Sequence, residues 1–177
     1  MNPVAATVCV LEPLMAAHAS EMFEVLSDPA IYEFENEPPA SVDALRDRYR
    51  RLEARRSADG RQVWLNWVLR LPDGHLAGYV QATVLQDGSA YIAYELGSRY
   101  WRRGIGSCAV GAMLVELKSQ YTVSLAVAVL KAQNHRSRGL LQKLGFQRAS
   151  PEDEARWRDS DDEVAFTMSL DEEAHAA

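Results

Sequence analysis

The sequence predicts a mixed α/β fold of the α+β kind, with one mostly antiparallel sheet of about seven strands flanked by about four helices. Three observations carry that prediction. Two turn signals, Pro72-Asp73-Gly74 and Asp87-Gly88, join three apolar stretches into an antiparallel meander. Val123, Leu125, Val127 and Val129 alternate with Ser and Ala, the pattern of a further strand. Between them Val110, Met113, Leu114 and Leu117 recur at helical spacing, and a helical crossover joins parallel neighbours. At 177 residues, 47% apolar and 25% charged, the chain has the material for a full core in one domain, residues 1–177.

In chain order, residues 7–11 read as a first short strand. Residues 14–26 carry Leu14, Ala17, His18, Met22, Val25 and Leu26 on one helical stripe, which ends before Pro29. His18 on that stripe reads as a satisfied boundary histidine. Residues 27–40 read as a loop or a single turn in which Tyr32 and Phe34 interleave with Glu33, Glu35 and Glu37. Ser41 is a good N-cap for a second helix reaching about Arg56, with Val42, Leu45, Tyr49 and Leu52 among solvated arginines. Residues 62–71, 76–85 and 90–96 are the meander strands. Trp64 and Trp67 fall on opposite faces of theirs, which predicts core on both sides. After the crossover helix come a strand at 122–129, a short helix at 137–144 stopped by Gly145, and a strand opened by Phe146. Residues 150–163 read as a polar loop with seven acids, two arginines and Trp157. Residues 164–170 are the last strand, giving the order β-α-α-β-β-β-α-β-α-β-β.

Composition excludes several classes. A formal net charge of -6 argues against direct binding of nucleic acid through charge. Cys9 and Cys108 lie far apart without metal-ligand spacing, so no metal is expected, and buried thiols in a reducing compartment are the simple reading. The longest apolar runs are too short for a membrane span or a signal peptide, and the expectation is a cytoplasmic protein with no membrane partner. Monomer and homodimer both stay open.

The stretch that organises the chain is Tyr100-Trp101-Arg102-Arg103-Gly104-Ile105-Gly106-Ser107. It joins the end of a strand to the start of a helix, so free backbone N–H groups and the positive end of the helix dipole converge there. Gly104 and Gly106 permit close approach, and Arg102 and Arg103 add charge. This is an anion cradle suited to a phosphate or pyrophosphate. Residues 104–109 formally match the dinucleotide fingerprint G-x-G-x-x-G/A. That fingerprint opens a doubly wound sheet and needs an acid about twenty residues on, whereas the next strand here ends in Leu130-Lys131-Ala132-Gln133. A Walker loop is excluded because no Gly-Lys-Ser/Thr occurs.

Trp101-Arg102-Arg103-Gly104-Ile105-Gly106 resembles the pyrophosphate loop, Q/R-x-x-G-x-G/A, of the GNAT superfamily of N-acetyltransferases. Trp in its first position resembles the branch of the ribosomal-protein N-terminal acetyltransferases, the RimJ/RimL type. Residues 134–146, from Asn134 through Ser137, Lys143, Gly145 and Phe146, resemble that family's N-x-x-S…K-x-G-F segment. The resemblance covers about residues 7–170 and implies the GNAT fold and acetyl-CoA as co-substrate. It implies an N-acetyltransferase in which a primary amine, a protein or peptide N-terminus or a small cationic amine, attacks the thioester directly. A non-catalytic acyl-CoA sensor is the alternative.

The same resemblance distributes roles. Leu96 and Gly97 would pair with the pantetheine arm, and Arg102, Arg103, Gly104, Ile105, Gly106 and Ser107 would take the pyrophosphate. Asn134 would bind the coenzyme, or serve only as a strand-to-helix cap. Many members place an acidic tyrosine four residues after the position of Ser137, where this chain has Leu141. Ser137 matches the serine of the RimL-like N-x-x-S motif, which the resemblance implies protonates the thiolate, and an N-cap role stays open beside it. The family's strand glutamate falls at Tyr91, which leaves Glu95, the only acid on that strand, as the candidate base or as a surface acid, with a water relay to loop acids open beside it. Tyr32, Glu33, Phe34, Glu35 and Trp157 match the acceptor-lining segments by position. With Glu37 and the 150–163 acids, they predict a cationic acceptor, unless these acids serve solubility alone.

Overall fold

The computed structural model describes residues 1–34 and 36–171; Glu35, expected at the acceptor site, lies outside the described residues. Among the described residues the strands are β1 Val4–Ala5, β2 Val10–Pro13, β3 Val63–Arg70, β4 Leu76–Val84, β5 Ser89–Leu96, β6 Leu125–Lys131, β7 Gln147–Arg148 and β8 Glu163–Ser169. The helices are α1 Ala19–Leu26, α2 Val42–Leu52, α3 Ile105–Tyr121, α4 His135–Lys143 and α5 Pro151–Trp157, with short 3₁₀ turns at Ala16–His18, Pro29–Tyr32 and Ser98–Tyr100. No helix among them is long and apolar enough to cross a membrane. The fold class is as predicted, with eight strands rather than about seven and five helices rather than about four.

The extra elements have local causes. Residues 7–11 are not one strand, because Ala6 N–H bonds to the Cys9 carbonyl at 3.0 Å and folds the segment into a β1–β2 hairpin. The first helix begins later than expected. His18 Nδ1 accepts from Met15 N–H, and Glu53 accepts from Ala16 N–H, which holds residues 16–18 in a 3₁₀ turn ahead of α1. In the acidic segment Ser150 caps α5 by accepting from Asp153 N–H at 3.1 Å. Pro151 fills the first turn, and Glu152, Asp153 and Glu154 suit its positive end.

The sheet runs β1-β2-β3-β4-β5-β6-β8-β7 and is antiparallel except between β5 and β6, which α3 joins as a crossover. Side chains alternate across β3. Trp67 and Leu69 pack with Val110, Met113 and Leu117 of α3, while Val68 packs with Met22, Leu26, Leu45 and Tyr49 of α1 and α2. Trp67 is fully buried, as expected of a core residue. Trp64 is only half-buried, with its indole N–H donating to Gln62, so the core expectation holds for one of the two tryptophans.

One departure from regular pairing positions the site. The β5–β6 ladder contains only Ser89↔Leu125, Ala90↔Ala126 and Tyr91↔Val127. Beyond it β5 stays with β4 as far as Gly78↔Leu96, and β6 stays with β8 as far as Lys131↔Glu163. The two halves of the sheet therefore part between Tyr94–Leu96 (94–96) and residues 129–131. Gly78 makes the β4 side fit, because a Cβ there would run into the Glu95 carbonyl oxygen and stand 2.8 Å from Leu96 Cα. Neither atom can swing aside as a flexible side chain would. Gly78→Ala is expected to destabilise the fold by about 3 kcal/mol, at the upper end of ordinary overpacking. Urea unfolding checks this; a mutant as stable as the parent would show that the strand end yields freely.

Candidate active site

The cradle is built where β5 stops. Gly97 N–H bonds to the Ala77 carbonyl at 3.0 Å, the last hydrogen bond toward β4. By the alternation of an antiparallel strand, Leu96 then points its N–H and C=O away from β4, into the parting. The Trp101 indole N–H caps the Leu96 carbonyl at 2.9 Å. Of the two residues expected to meet the pantetheine arm, Leu96 faces the gap, and the Gly97 N–H is already taken by the sheet.

Arg102 and Gly104 both have left-handed backbone, φ 57° and 79°, so the chain between them coils around a concave face. Gly104 is the N-cap of α3 and offers no side-chain cap. The first helical bond runs from Cys108 N–H to the Gly104 carbonyl, which leaves the N–H groups of Ile105, Gly106 and Ser107 open, as at any uncapped helix start. The two glycines are needed for different reasons. A Cβ on Gly104 would meet nothing within 4 Å, so its requirement is the backbone angle and the open space outside it. A Cβ on Gly106 would stand 2.9 Å from Leu140 Cδ1, a packing constraint beneath the cradle. Arg102, Gly104, Ile105, Gly106 and Ser107 line a cleft of about 1120 Å³, whereas the exposed Arg103 does not.

Across the parting stands α4. Asn134 is its N-cap, accepting from Ser137 N–H at 3.0 Å, and its side chain also lines the cleft. The cap is therefore Asn134, and Ser137 is free of that duty. Ser137 Oγ lies 2.6 Å from the hydroxyl of Tyr94, a contact in which either can donate, and the single phenolic proton also has the Ser137 carbonyl within reach at 3.2 Å. Sequence reasoning missed Tyr94. The one signal for it was alternation along β5, which puts it on the same face as Leu96; its meeting with a residue on α4 depends on the fold. Leu141 is fully buried, so a tyrosine there would not reach the cleft.

The other half of the cleft is lined by Tyr32, Phe34, Glu37, Arg48, Tyr79 and Glu95. Tyr32 donates to the Leu26 carbonyl at 2.7 Å, which fixes the 27–34 segment against α1. Phe34 meets the His135 ring edge to face, with centroids 5.5 Å apart. Arg136 lies over the Trp101 and Phe34 rings at 4.4 and 5.3 Å and pairs with Glu33. Glu33 thus ties the loop to α4 instead of facing the acceptor. Glu95 stands opposite Tyr79 in the ladder. Burial pushes the phenols of Tyr79, Tyr32 and Tyr49 up, and the nearby charge of Glu95 adds to that shift. All three stay protonated across the working pH range.

Trp157 does not reach the cleft. It is buried on α5 against Val127, Ala149 and Ala165, with its ring edge to face on Tyr91 at 5.4 Å. The acids of 150–163 are engaged there too: Glu154 with Arg148 at 2.7 Å, and Asp162 and Glu163 with Lys131 at 3.0 and 3.2 Å. Apolar burial decided the outcome, since covering a large aromatic side chain is worth about 2–3 kcal/mol. The expected second acidic rim is absent from the cleft. Its charged lining includes Arg48, Arg102, Arg136 and Lys143 against Glu37 and Glu95.

The family model described as Acetyltransferase (GNAT) domain matches residues 9–147. No curated protein matches the chain in sequence. Among solved structures, RimL, ribosomal L7/L12 alpha-N-protein acetyltransferase in complex with coenzyme A, superposes with a TM-score of 0.78 at 16% identity, over 96% of this chain and 98% of that one. RimJ from Mycobacterium smegmatis in complex with CoA-disulfide gives 0.76 at 20% identity, over 95% and 86%. An acetyltransferase (GNAT family) from Bacillus anthracis gives 0.75 at 14%, over 94% and 98%. At these identities the likeness is one of fold.

Asp28 couples the two halves of the site. Its carboxylate accepts from Ala30 N–H at 3.0 Å, capping the 3₁₀ turn at Pro29–Tyr32, and from Ser98 N–H at 2.8 Å at the entry to the cradle. Hydrogen bonds from Ser98 hold its pKa below the ordinary value. A depressed carboxylate stabilises the fold above its unfolded pKa, and that stability is lost as pH falls through the folded pKa. Asp28→Ala is expected to cost about 1 kcal/mol, as for other lost caps. The deficit should be constant above about pH 5 and shrink below about pH 4, where the unfolded carboxyl titrates. Chemical denaturation across pH measures both; a deficit that grows in acid would contradict the assignment.

Proposed function

Because the chain belongs to the GNAT acetyltransferase family, whose members use acetyl-CoA, we propose that it passes the acetyl group directly to the nitrogen of a primary amine. The observation that carries this reading is the parting of β5 and β6, with the open N-terminus of α3 at one rim and the Ser137 hydroxyl at the other. The residues fit the co-substrate. Three unpartnered N–H groups, a left-handed glycine with clear space outside it and Arg102 suit a pyrophosphate. The strand edge at Leu96 suits an extended amide-bearing arm, which would complete the interrupted ladder. Asn134 keeps its side-chain NH₂ for the coenzyme while its oxygen caps α4.

In this reading each residue does one thing. Leu96 N–H donates to the thioester carbonyl oxygen as negative charge grows on it. Ser137 supplies the proton taken up by the departing sulfur. Glu95, in the acceptor half, accepts the proton of the incoming amine directly or through water. Glu95 is a modest base, and magnitudes favour a modest task. An α-amine of pKa ~7.7–8.0 needs roughly 3–4 kcal/mol less for deprotonation than a lysine at ~10.4. The acceptor we propose is therefore an α-amine, as at a protein or peptide N-terminus. Arg48 at the same end works against a polycation.

The test is thiol release from acetyl-CoA by the purified protein with a panel of amines. Turnover with α-amine acceptors supports the reading; tight coenzyme binding with no turnover on any amine would favour a sensor. Gly104→Val checks the cradle. It forces a β-branched residue into left-handed backbone, at a cost of about 1–2 kcal/mol of stability. It also places methyl groups where the pyrophosphate approaches, so acetyl-CoA affinity should fall by about tenfold or more, read by calorimetric titration. Unchanged affinity in the folded mutant would remove the loop from the site.

A further inference from the structure

We propose that Tyr94 is the proton source behind Ser137, so that the leaving sulfur is protonated through a two-hydroxyl relay that runs from β5 to α4. The inference rests on the acetyl-transfer reading above and assigns a role to a residue that the family motifs in the sequence do not mark.

The geometry comes first. The two side-chain hydroxyl oxygens are 2.6 Å apart, a short and therefore strong O–H···O contact, and both residues line the cleft. Tyr94 follows the last β5–β6 pair, Tyr91↔Val127, so it projects from the part of β5 that no longer pairs with β6. Either hydroxyl can be the donor in the short contact. The phenol has one proton, and when it turns from the Ser137 carbonyl to the nearer Ser137 Oγ, the serine proton is released toward the cleft.

Acidity then decides which hydroxyl is the reservoir. An alkyl hydroxyl is about as weak an acid as water, far weaker than a thiol or a phenol. A thiol such as cysteine sits near ~8.5, and a phenol near ~10. A serine acting alone would transfer its proton to a thiolate against about seven powers of ten. The phenol faces about one and a half. A serine is thus a poor source and a good conduit. Leu141 is fully buried and does not line the cleft, so position 141 supplies no acid and the function falls to the pair.

The step balances. The amine nitrogen forms a bond to the acetyl carbon, and the carbon–sulfur bond breaks with its electron pair going to sulfur. The Ser137 proton moves to sulfur, and the Tyr94 proton moves to Ser137 Oγ. The phenolate regains a proton from water, which is balanced by the proton that the amine gave up.

The experiment compares Tyr94→Phe, Ser137→Ala and the double variant on the best amine found by thiol release. Each single change should lower kcat by about 10²-fold or more, the scale of general-acid catalysis, with coenzyme affinity within a few-fold. The double variant should lose no more than either single one, because both interrupt one proton path. The alkaline limb of the wild-type kcat profile, where the phenol ionises, should vanish in Tyr94→Phe. A readout independent of turnover is the thiol titration of bound coenzyme A, followed by thiolate absorbance. The relay stabilises the thiolate, so its midpoint should rise by the same amount in either variant. Wild-type turnover with an unaffected Tyr94→Phe would overturn the relay and leave acetyl transfer standing, as would losses that multiply in the double variant. A wild-type protein that releases no thiol with any amine would overturn both.

Discussion

The rest of the structure depends on the end of one hydrogen-bond ladder. Buried backbone N–H and C=O groups must find partners, and a parallel pair of strands normally supplies them along its full length. Here β5 and β6 share three residue pairs and then separate. Each stays bound to its outer neighbour, so the separation is held open from both sides and does not collapse. Gly78 and the Trp101 indole are the local adjustments that let β5 end this way. One relieves a clash with the Glu95 carbonyl, and the other satisfies the Leu96 carbonyl. What remains is a strand edge inside the molecule, which can pair with an extended ligand without exposing a sheet edge to other proteins.

That constraint also explains which residues could be read in advance. The turn was legible because its cause is local: two glycines at a strand–helix junction leave an uncapped helix start in any fold, whereas only one of the two arginines beside them lines the cleft. The meander was legible for the same reason, through Pro72-Asp73-Gly74 and Asp87-Gly88. Trp157 was misread because the acids around it suggested an open loop. Ser150-Pro151 and the three acids after it are in fact a helix start, and that helix carries the indole into the core. Glu33 was placed in the right loop, but its partner Arg136 lies about a hundred residues away in sequence. Tyr94 was invisible for that reason also. Alternation gives the face of a strand, and only the fold says what stands across from it.

Electrostatics changed most between sequence and structure. Counting acids in two loops suggested a negative mouth and a cationic acceptor. In the folded chain Glu154, Asp161, Asp162 and Glu163 are paired with Arg148, Arg158 and Lys131, and none of the 150–163 acids lines the cleft. Among the described residues the cleft wall instead carries more cations than carboxylates. A positive excess suits an anionic co-substrate, and Glu37 and Glu95 line the half of the cleft that holds Tyr32, Phe34 and Tyr79. Net charge of the whole chain is informative about solubility and bulk partners, but a cleft is governed by the charges within a Debye length of about 8–10 Å.

The same economy of parts recurs on α4, where structural and chemical roles share residues. Asn134 caps the helix with its oxygen, which keeps the first turn rigid and leaves Ser137 free of capping. Because the cap fixes the Ser137 N–H, it also fixes the direction from which the hydroxyl leaves the backbone. Tyr94 then touches both the carbonyl and the hydroxyl of Ser137, so one phenol holds the serine in place. Leu141, one turn further along, is buried against the core and anchors the helix at this distance from β5. A tyrosine at that position would have to give up this anchorage to reach the cleft. Placing the phenol on the opposite strand leaves the anchor intact, and the short contact across the parting ties the two halves of the site together where the backbone no longer does.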